Sequence, residues 1–208
     1  MVTRRLVMVG AAFWAALAAA NVLSKNADGQ TTRETAVPVA FSGGHETDPR
    51  DRGRPVVLIA AELGVPADVF REAFRHVRPA PAGQAPDPDQ VRRNKAALLD
   101  ALGSYGVTNE RLDAVSNYYR YVRSRGELWP TRPARAYAVL ENGTVTRFVV
   151  TDGGSGYSSP PTVTVPGISG AAATVQLSFT RSADSNGGVS AIVIGGGPGR
   201  GNGDSAGG

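Results

Sequence analysis

The chain has 208 residues, a formal net charge of +4 and no cysteine. Without cysteine it can form no disulfide, no thiolate metal site and no cysteine nucleophile, so its folded state depends on packing alone. Its acidic and basic residues are interleaved along the sequence, whereas proteins that bind nucleic acid usually concentrate positive charge on one face. We therefore expect no nucleic-acid partner.

The N-terminal segment 1–20 has the three-part pattern of a secretory signal peptide. Arg4 and Arg5 form a positive head, residues 6–20 are apolar, and Ala18 and Ala20 supply the small side chains that signal peptidase accepts. The apolar run is too short to span a bilayer core of roughly 30 Å comfortably. We predict cleavage after Ala20 and a secreted or periplasmic location. The mature chain would have no transmembrane segment, and loss of the two arginines would lower its formal charge from +4 to +2.

Residues 21–54 are polar and interrupted by glycine and proline, which is typical of a flexible arm. The arm carries the densest set of potential metal ligands in the chain, namely His45, Glu46, Asp48 and Asp51. Imidazole with carboxylates suits zinc or manganese. The alternative is a solvated loop whose acids are neutralised by Arg50, Arg52 and Arg54. We favour this alternative and expect neither a metal nor a cofactor.

From Pro55 to about residue 125 the apolar spacing is helical. Gly64 ends a first helix, and Pro66 fits the first turn of a second. A third helix follows Asp87 or Asp89, and Thr108 caps a fourth. Two helical hairpins facing each other would make a small helical domain over residues 55–125.

The turn between the first two helices also matches the spacing of a helix-turn-helix, with Ala60, Gly64 and Phe70 at the small, turn and apolar positions. In a recognition helix, Arg71, Arg75 and His76 would meet phosphates. Any tight helical hairpin needs the same residue types, and an exported chain meets no chromosome. A DNA-binding module is therefore the third function that we consider.

Aromatic and basic residues alternate around the end of the fourth helix. Tyr119 shares the apolar face of Leu112 and Val115, which predicts a core position. Tyr118 and Tyr121 flank that face and are expected to pack the helices against the sheet or the arm. A candidate contact patch for sugars or bases comprises Tyr118, Tyr121, Arg123 and Trp129.

After a linker at residues 126–133, the pattern alternates and predicts a small antiparallel β-domain over 134–194. Asn142-Gly143 between two apolar runs predicts a type I′ hairpin. Further strands are predicted at 144–151, 162–165, 174–179 and 189–194. The glycine-rich tail at 195–208 is predicted to be disordered.

Two resemblances concern export. The segment 154–165, GSGYSSPPTVTV, resembles a β-repeat of exported bacterial surface and adhesin-like proteins. The segments 45–51 (HETDPRD) and 115–121 (VSNYYRY), with their surroundings, resemble uncharacterised secreted proteins of planctomycete-type bacteria. Neither resemblance carries catalytic residues over to this chain. The β-repeat usually occurs in arrays, whereas this chain has about one copy, so no long fibre is implied.

Sequence patterns for catalysis are scarce, because His45 and His76 are the two histidines and no Gly-x-Ser-x-Gly elbow or phosphate-binding loop is present. We predict an α+β fold, a small helical domain followed by a small antiparallel β-domain, with no catalytic residues. The predicted function is that of an exported, non-catalytic structural or interaction protein of the cell envelope or exterior. Its partner would be a protein or a glycan. A secreted hydrolase or metal-dependent enzyme is the main alternative.

Overall fold

The computed structural model describes residues 20–25, 31–78, 87–121 and 125–195. Within these ranges the chain forms four α-helices and eight β-strands, and its strand pairs are antiparallel, which confirms the predicted α+β class. The predicted signal peptide and glycine-rich tail lie outside the described residues, apart from Ala20 and Gly195. Among the helices that are described, none is long and apolar enough to cross a membrane.

The helical part follows the predicted order of two hairpins. Its helices are α1 (Val56–Leu63), α2 (Ala67–Arg75), α3 (Pro88–Leu102) and α4 (Asn109–Tyr118). Gly64 ends α1 with a φ of +76°, a left-handed conformation that favours glycine. The Thr108 hydroxyl accepts a hydrogen bond from the backbone N–H of Arg111 at 3.2 Å and so caps α4. The apolar faces meet in one core, and its largest fully buried side chains are those of Leu58, Phe70, Leu102 and Val115.

The strands form one sheet of four strands and two of two strands. They are β1 (Ala20–Lys25), β2 (Thr31–Pro38), β3 (Ala40–Ser42), β4 (Arg135–Glu141), β5 (Thr144–Asp152), β6 (Thr162–Thr164), β7 (Ala173–Ser178) and β8 (Gly188–Ile194). The larger sheet has the order β1-β2-β4-β5, while β3 pairs with β6 and β7 with β8. Asn142 and Gly143 join β4 to β5 with φ values of +49° and +83°. Two positive values are what a type I′ turn requires, so the predicted hairpin is confirmed.

The structure differs from the prediction of a flexible arm over residues 21–54. This segment supplies β1, β2 and β3, and β2 lies between β1 and β4 in the larger sheet. The β2–β4 pairing runs from Glu34 opposite Glu141 to Pro38 opposite Tyr137. The backbone hydrogen bonds that order the segment are made with a strand far along the chain, so its polar sequence gives no local sign of them.

Apolar side chains between the sheets form a second core. Its buried members are Ala134, Ala136, Tyr157, Val163, Val175, Val189 and Ile192, with Ala138, Leu140 and Val165 in an adjoining cluster. Phe41 of β3 packs on this core, so the supposed arm contributes side chains as well as backbone. The β-part is therefore assembled from both ends of the described chain.

Buried polar contacts join the helical part to the β-part. Asn186 is fully buried and donates from Nδ2 to the carbonyl oxygen of Leu58 at 2.7 Å and to the hydroxyl of Tyr119 at 2.9 Å. Burial raises the pKa of Tyr119 above that of an ordinary phenol. Trp129 Nε1 donates to the carbonyl oxygen of Gly156 at 2.8 Å. Separating the two parts would break these buried hydrogen bonds and expose the groups to water, so the contacts couple the parts energetically.

Candidate functional site at the junction of residues 48–54 and helix α2

A charged turn precedes α1 and lies against α2. Asp48 caps a short 3-10 helix, Pro49–Asp51, by accepting a hydrogen bond from the backbone N–H of Arg50 at 2.9 Å. The Arg50 guanidinium also donates to the Asp48 carboxylate, and these hydrogen bonds lower the pKa of Asp48 to about 2. Arg52 then adopts a left-handed conformation with a φ of +53°. The chain reverses there, which places Asp51 and Arg54 beside α2.

Asp51 and Arg71 form a partly buried ion pair between the turn and α2. Arg71 Nε and Nη2 donate to the two carboxylate oxygens of Asp51 at 2.8 and 2.9 Å. The Asp51 side chain is only 2% exposed, and Arg71 Nη1 donates to Asp68 at 2.9 Å. Hydrogen bonding to Asp51 raises the pKa of Arg71 further above its already high value. The charge of Arg71 is thus matched by carboxylates, and the pair anchors the turn.

Arg54 lies beside this pair and has a different environment. Its guanidinium carbon is 4.1 Å from the ring centroid of Phe74, a cation–π contact. Burial lowers the pKa of Arg54, although an arginine remains charged at neutral pH. Within the described part of the chain, no hydrogen bond or ion pair engages its guanidinium. Arg54 instead lines two cavities between the turn and α2.

Two adjoining cavities of about 430 and 420 Å³ open between the turn and α2, and together they form what we call the Arg54 cleft. Both cavities are lined by Arg50, Asp51, Arg54, Arg71, Phe74 and Arg75. Val56 and Val77 add apolar surface, and Arg52, Asp68 and Glu72 complete the charged walls. Five arginines and three carboxylates give the walls an excess of two formal positive charges.

The four candidate metal ligands lie along one segment but make separate contacts. The His45 ring stacks on Tyr157 with centroids 5.3 Å apart, and its Nδ1 is 3.3 Å from the carbonyl oxygen of Gly156. The carboxylate of Glu46 accepts from Gly44 N and from the Ser159 hydroxyl, and the latter contact lowers its pKa. Asp48 and Asp51 bind arginines, as described above. Across the residues that the structure describes, no three His, Asp or Glu side chains are grouped so as to hold a metal ion.

The candidate contact patch is not a single surface. Trp129 is 2% exposed and packs on the helical core, which corrects its assignment to the patch. Its indole contacts Tyr121 edge to face, and its N–H is satisfied by a backbone carbonyl, so a large apolar ring is buried without an unpaired donor. The Tyr121 hydroxyl donates to Gly53 O, as expected for a residue that packs the helices against the arm segment. Tyr118 is 36% exposed, and Arg123 lies outside the described residues.

The cations of the supposed recognition helix have acidic neighbours in the structure. Arg71 is held by Asp51, and Arg75 contacts Glu72 at 3.1 Å. His76 is exposed at the end of α2. On the other side of the hairpin, the guanidinium of Arg181 lies so close to Gly64 that a Cβ there would be 2.3 Å from its Nε. Gly64 thus allows the left-handed backbone of this turn and also leaves room for the close contact with Arg181 of the β-part.

The sequence interpretation missed Arg54 as a functional candidate, because it treated all three arginines of the segment as neutralising their local acids. Arg50 does so for Asp48, but Arg71 of α2 neutralises Asp51. Arg54 is left with Phe74 as its neighbour. Residues 50–54 contain more arginines than acidic residues, and this surplus was the sequence signal that one arginine would lack a local acidic partner.

Comparison with known proteins assigns no family or function to the chain. No family model, no curated protein and no solved structure matches the chain.

Proposed function

We propose that the chain is an exported, non-catalytic structural or interaction protein of the cell envelope or exterior. The observation that carries this proposal is the use of the chemically versatile side chains in residues 45–51 for structural contacts. His45 is stacked on Tyr157, and both oxygens of Asp51 are occupied by Arg71. A general base or nucleophile activator needs a ring nitrogen or carboxylate free to face a substrate.

The signal-peptide pattern of residues 1–20 and the adhesin-like β-repeat at 154–165 support the exported part of the proposal. The position of β1 is compatible with removal of the leader. Cleavage after Ala20 would retain Asn21–Lys25, which pairs with β2 from Asn21 opposite Thr35 to Lys25 opposite Thr31. The mature chain would therefore keep the outer strand of the larger sheet almost complete.

The test determines the cellular location and the mature N-terminus of the protein in its own cell. We expect intact-mass analysis to find a chain that begins at Asn21 in the periplasm or the medium. The matched control lacks residues 2–20 and should stay in the cytosol. A cytosolic protein that retains Met1 would refute export.

A second measurement addresses the non-catalytic part. Elemental analysis of the purified protein should find no stoichiometric metal. Metal bound at one equivalent and lost in both His45→Ala and Asp48→Ala would instead identify a metal-dependent protein.

A further inference from the structure

Arg54 is a charged side chain that is partly removed from water without an anionic partner of its own. Its pKa is lowered by burial, which means that the site stabilises the cation less well than water does. Asp51 is near, but Arg71 occupies both of its carboxylate oxygens. A buried charge without a hydrogen-bonded partner is costly, so an incoming anion would gain more here than at an exposed arginine.

The contact with Phe74 fixes how that anion would be bound. The aromatic ring covers the guanidinium at 4.1 Å, which leaves the N–H groups along the guanidinium edge as the available donors. Two parallel N–H groups match the two oxygens of a carboxylate, and such bidentate pairs are both strong and directional.

The pairing of charges within the cleft walls favours a singly charged anion. Asp51, Asp68 and Glu72 line the cleft together with the arginines and offset three of their five charges. Arg50, Arg71 and Arg75 each have an acidic partner already. Arg52 is exposed to water, so Arg54 is the one partly buried arginine of the described cleft walls that has no acidic partner. A single guanidinium pairs with a single carboxylate.

Apolar residues complete the description of the ligand. Phe74 and Val56 line one cavity, and Phe74 and Val77 the other. A volume of about 430 Å³ lies in the range of small-molecule sites. We propose that the Arg54 cleft binds an organic monocarboxylate, with the carboxylate paired to Arg54 and the apolar portion against Phe74. The carboxylate belongs either to a small free acid or to the C-terminus of a peptide.

The experiment compares isosteric ligands on the full chain by chemical-shift titration. Benzoate and benzamide have nearly the same shape, but only benzoate is charged. We expect benzoate to bind with a Kd on the order of a few millimolar, as its size allows, and benzamide at least about tenfold more weakly. A tripeptide with a free or an amidated C-terminus then separates a peptide ligand from a free acid. Tighter binding of the free peptide than of benzoate identifies the peptide source, and weaker binding the free acid.

Variants locate the site. Arg54→Met should weaken benzoate binding at least about tenfold, and Arg54→Lys nearly as much, because lysine keeps the charge but loses the two parallel donors. Arg92→Met is the matched control, since Arg92 is an exposed arginine of α3 that does not line the cleft. Thermal melting checks that each variant is folded. The benzamide comparison needs no variant and decides the matter if Arg54→Met does not fold.

Three results would overturn the proposal: equal binding of benzoate and benzamide, unchanged benzoate binding in Arg54→Lys, or tighter binding of inorganic phosphate than of benzoate. These titrations use purified protein and do not depend on export. A negative result would leave the proposed exported role intact, and a cytosolic location would leave the carboxylate site intact.

Discussion

Replacing Asn186 with alanine tests whether the helical part and the β-part unfold as one unit. The Asn186 side chain is fully buried and makes three hydrogen bonds. Its Nδ2 donates to Leu58 O at 2.7 Å and to Tyr119 Oη at 2.9 Å, and its Oδ1 accepts from the backbone N–H of Thr180 at 3.2 Å. Two of these partners belong to the helical part and one to the turn before β8.

The cost follows from these contacts. A typical intramolecular hydrogen bond contributes about 1 kcal/mol net, so the loss of three gives about 3 kcal/mol. The truncation also leaves a small void and an unpaired, partly buried N–H at Thr180, which add about 1 kcal/mol. We expect Asn186→Ala to lower the free energy of unfolding by about 3–4 kcal/mol, a large share of the about 5–15 kcal/mol of an ordinary domain.

The assay is urea unfolding followed both by tryptophan fluorescence and by far-ultraviolet circular dichroism. The two signals should coincide in the wild type, because the buried polar contacts couple both parts. Asn117→Ala, an exposed change of the same kind on α4, should alter the free energy of unfolding by less than about 0.5 kcal/mol. A double-mutant cycle with Tyr119→Phe should give a coupling of at least about 0.5 kcal/mol. A cost below about 1 kcal/mol for Asn186→Ala, or two separate transitions in the wild type, would refute the reasoning.

Three further predictions concern local features. Gly187→Ala should destabilise the protein by about 3 kcal/mol or more in urea titrations. The reason is that a Cβ there would lie 2.3 Å from a backbone oxygen at a φ of +67°. Gly106→Ala, with a φ of +77° but no atom within 4 Å, should cost only about 1 kcal/mol, and equal costs would contradict the steric account. Thr108→Ala should lower the free energy of unfolding by about 1 kcal/mol through loss of the α4 cap, and an unchanged stability would count against that cap. In an NMR titration the Asp48 carboxylate should have a pKa of about 2, rising toward 3.8 in Arg50→Ala. Because the folded state lowers this pKa, the contribution of Asp48 to stability is complete above pH 3.8 and is lost as the pH falls toward 2. An Asp48 pKa that Arg50→Ala leaves unchanged would exclude the hydrogen-bond explanation.

Features set by neighbours in sequence were predictable. The Asn142-Gly143 turn needs only two residues that tolerate positive φ, and both values are positive in the structure. The end of α1 at Gly64 and the start of α4 after Thr108 likewise depend on chemistry within one helical turn.

Features set by distant partners were not predictable. The strand character of residues 31–38 depends on β4, whose own sequence carries no mark of this partner. Trp129 stands among basic and aromatic residues, which suggested a surface, but its environment is decided by His45 and Tyr121. In the candidate site, Arg54 and Phe74 meet because α2 packs on the turn, and composition alone could not separate Arg54 from Arg50.

The position of β2 between β1 and β4 has a consequence for the order in which the protein is synthesised. The first two strands leave the ribosome well before β4, and the four helices are made in between. Until β4 arrives, β1 and β2 can form at most a hairpin, which is marginally stable in water. The larger sheet therefore cannot close until the four helices have been synthesised, and its closure is a slow, non-local step. The two N-terminal strands therefore lack their partner strand until more than half of the chain has been synthesised.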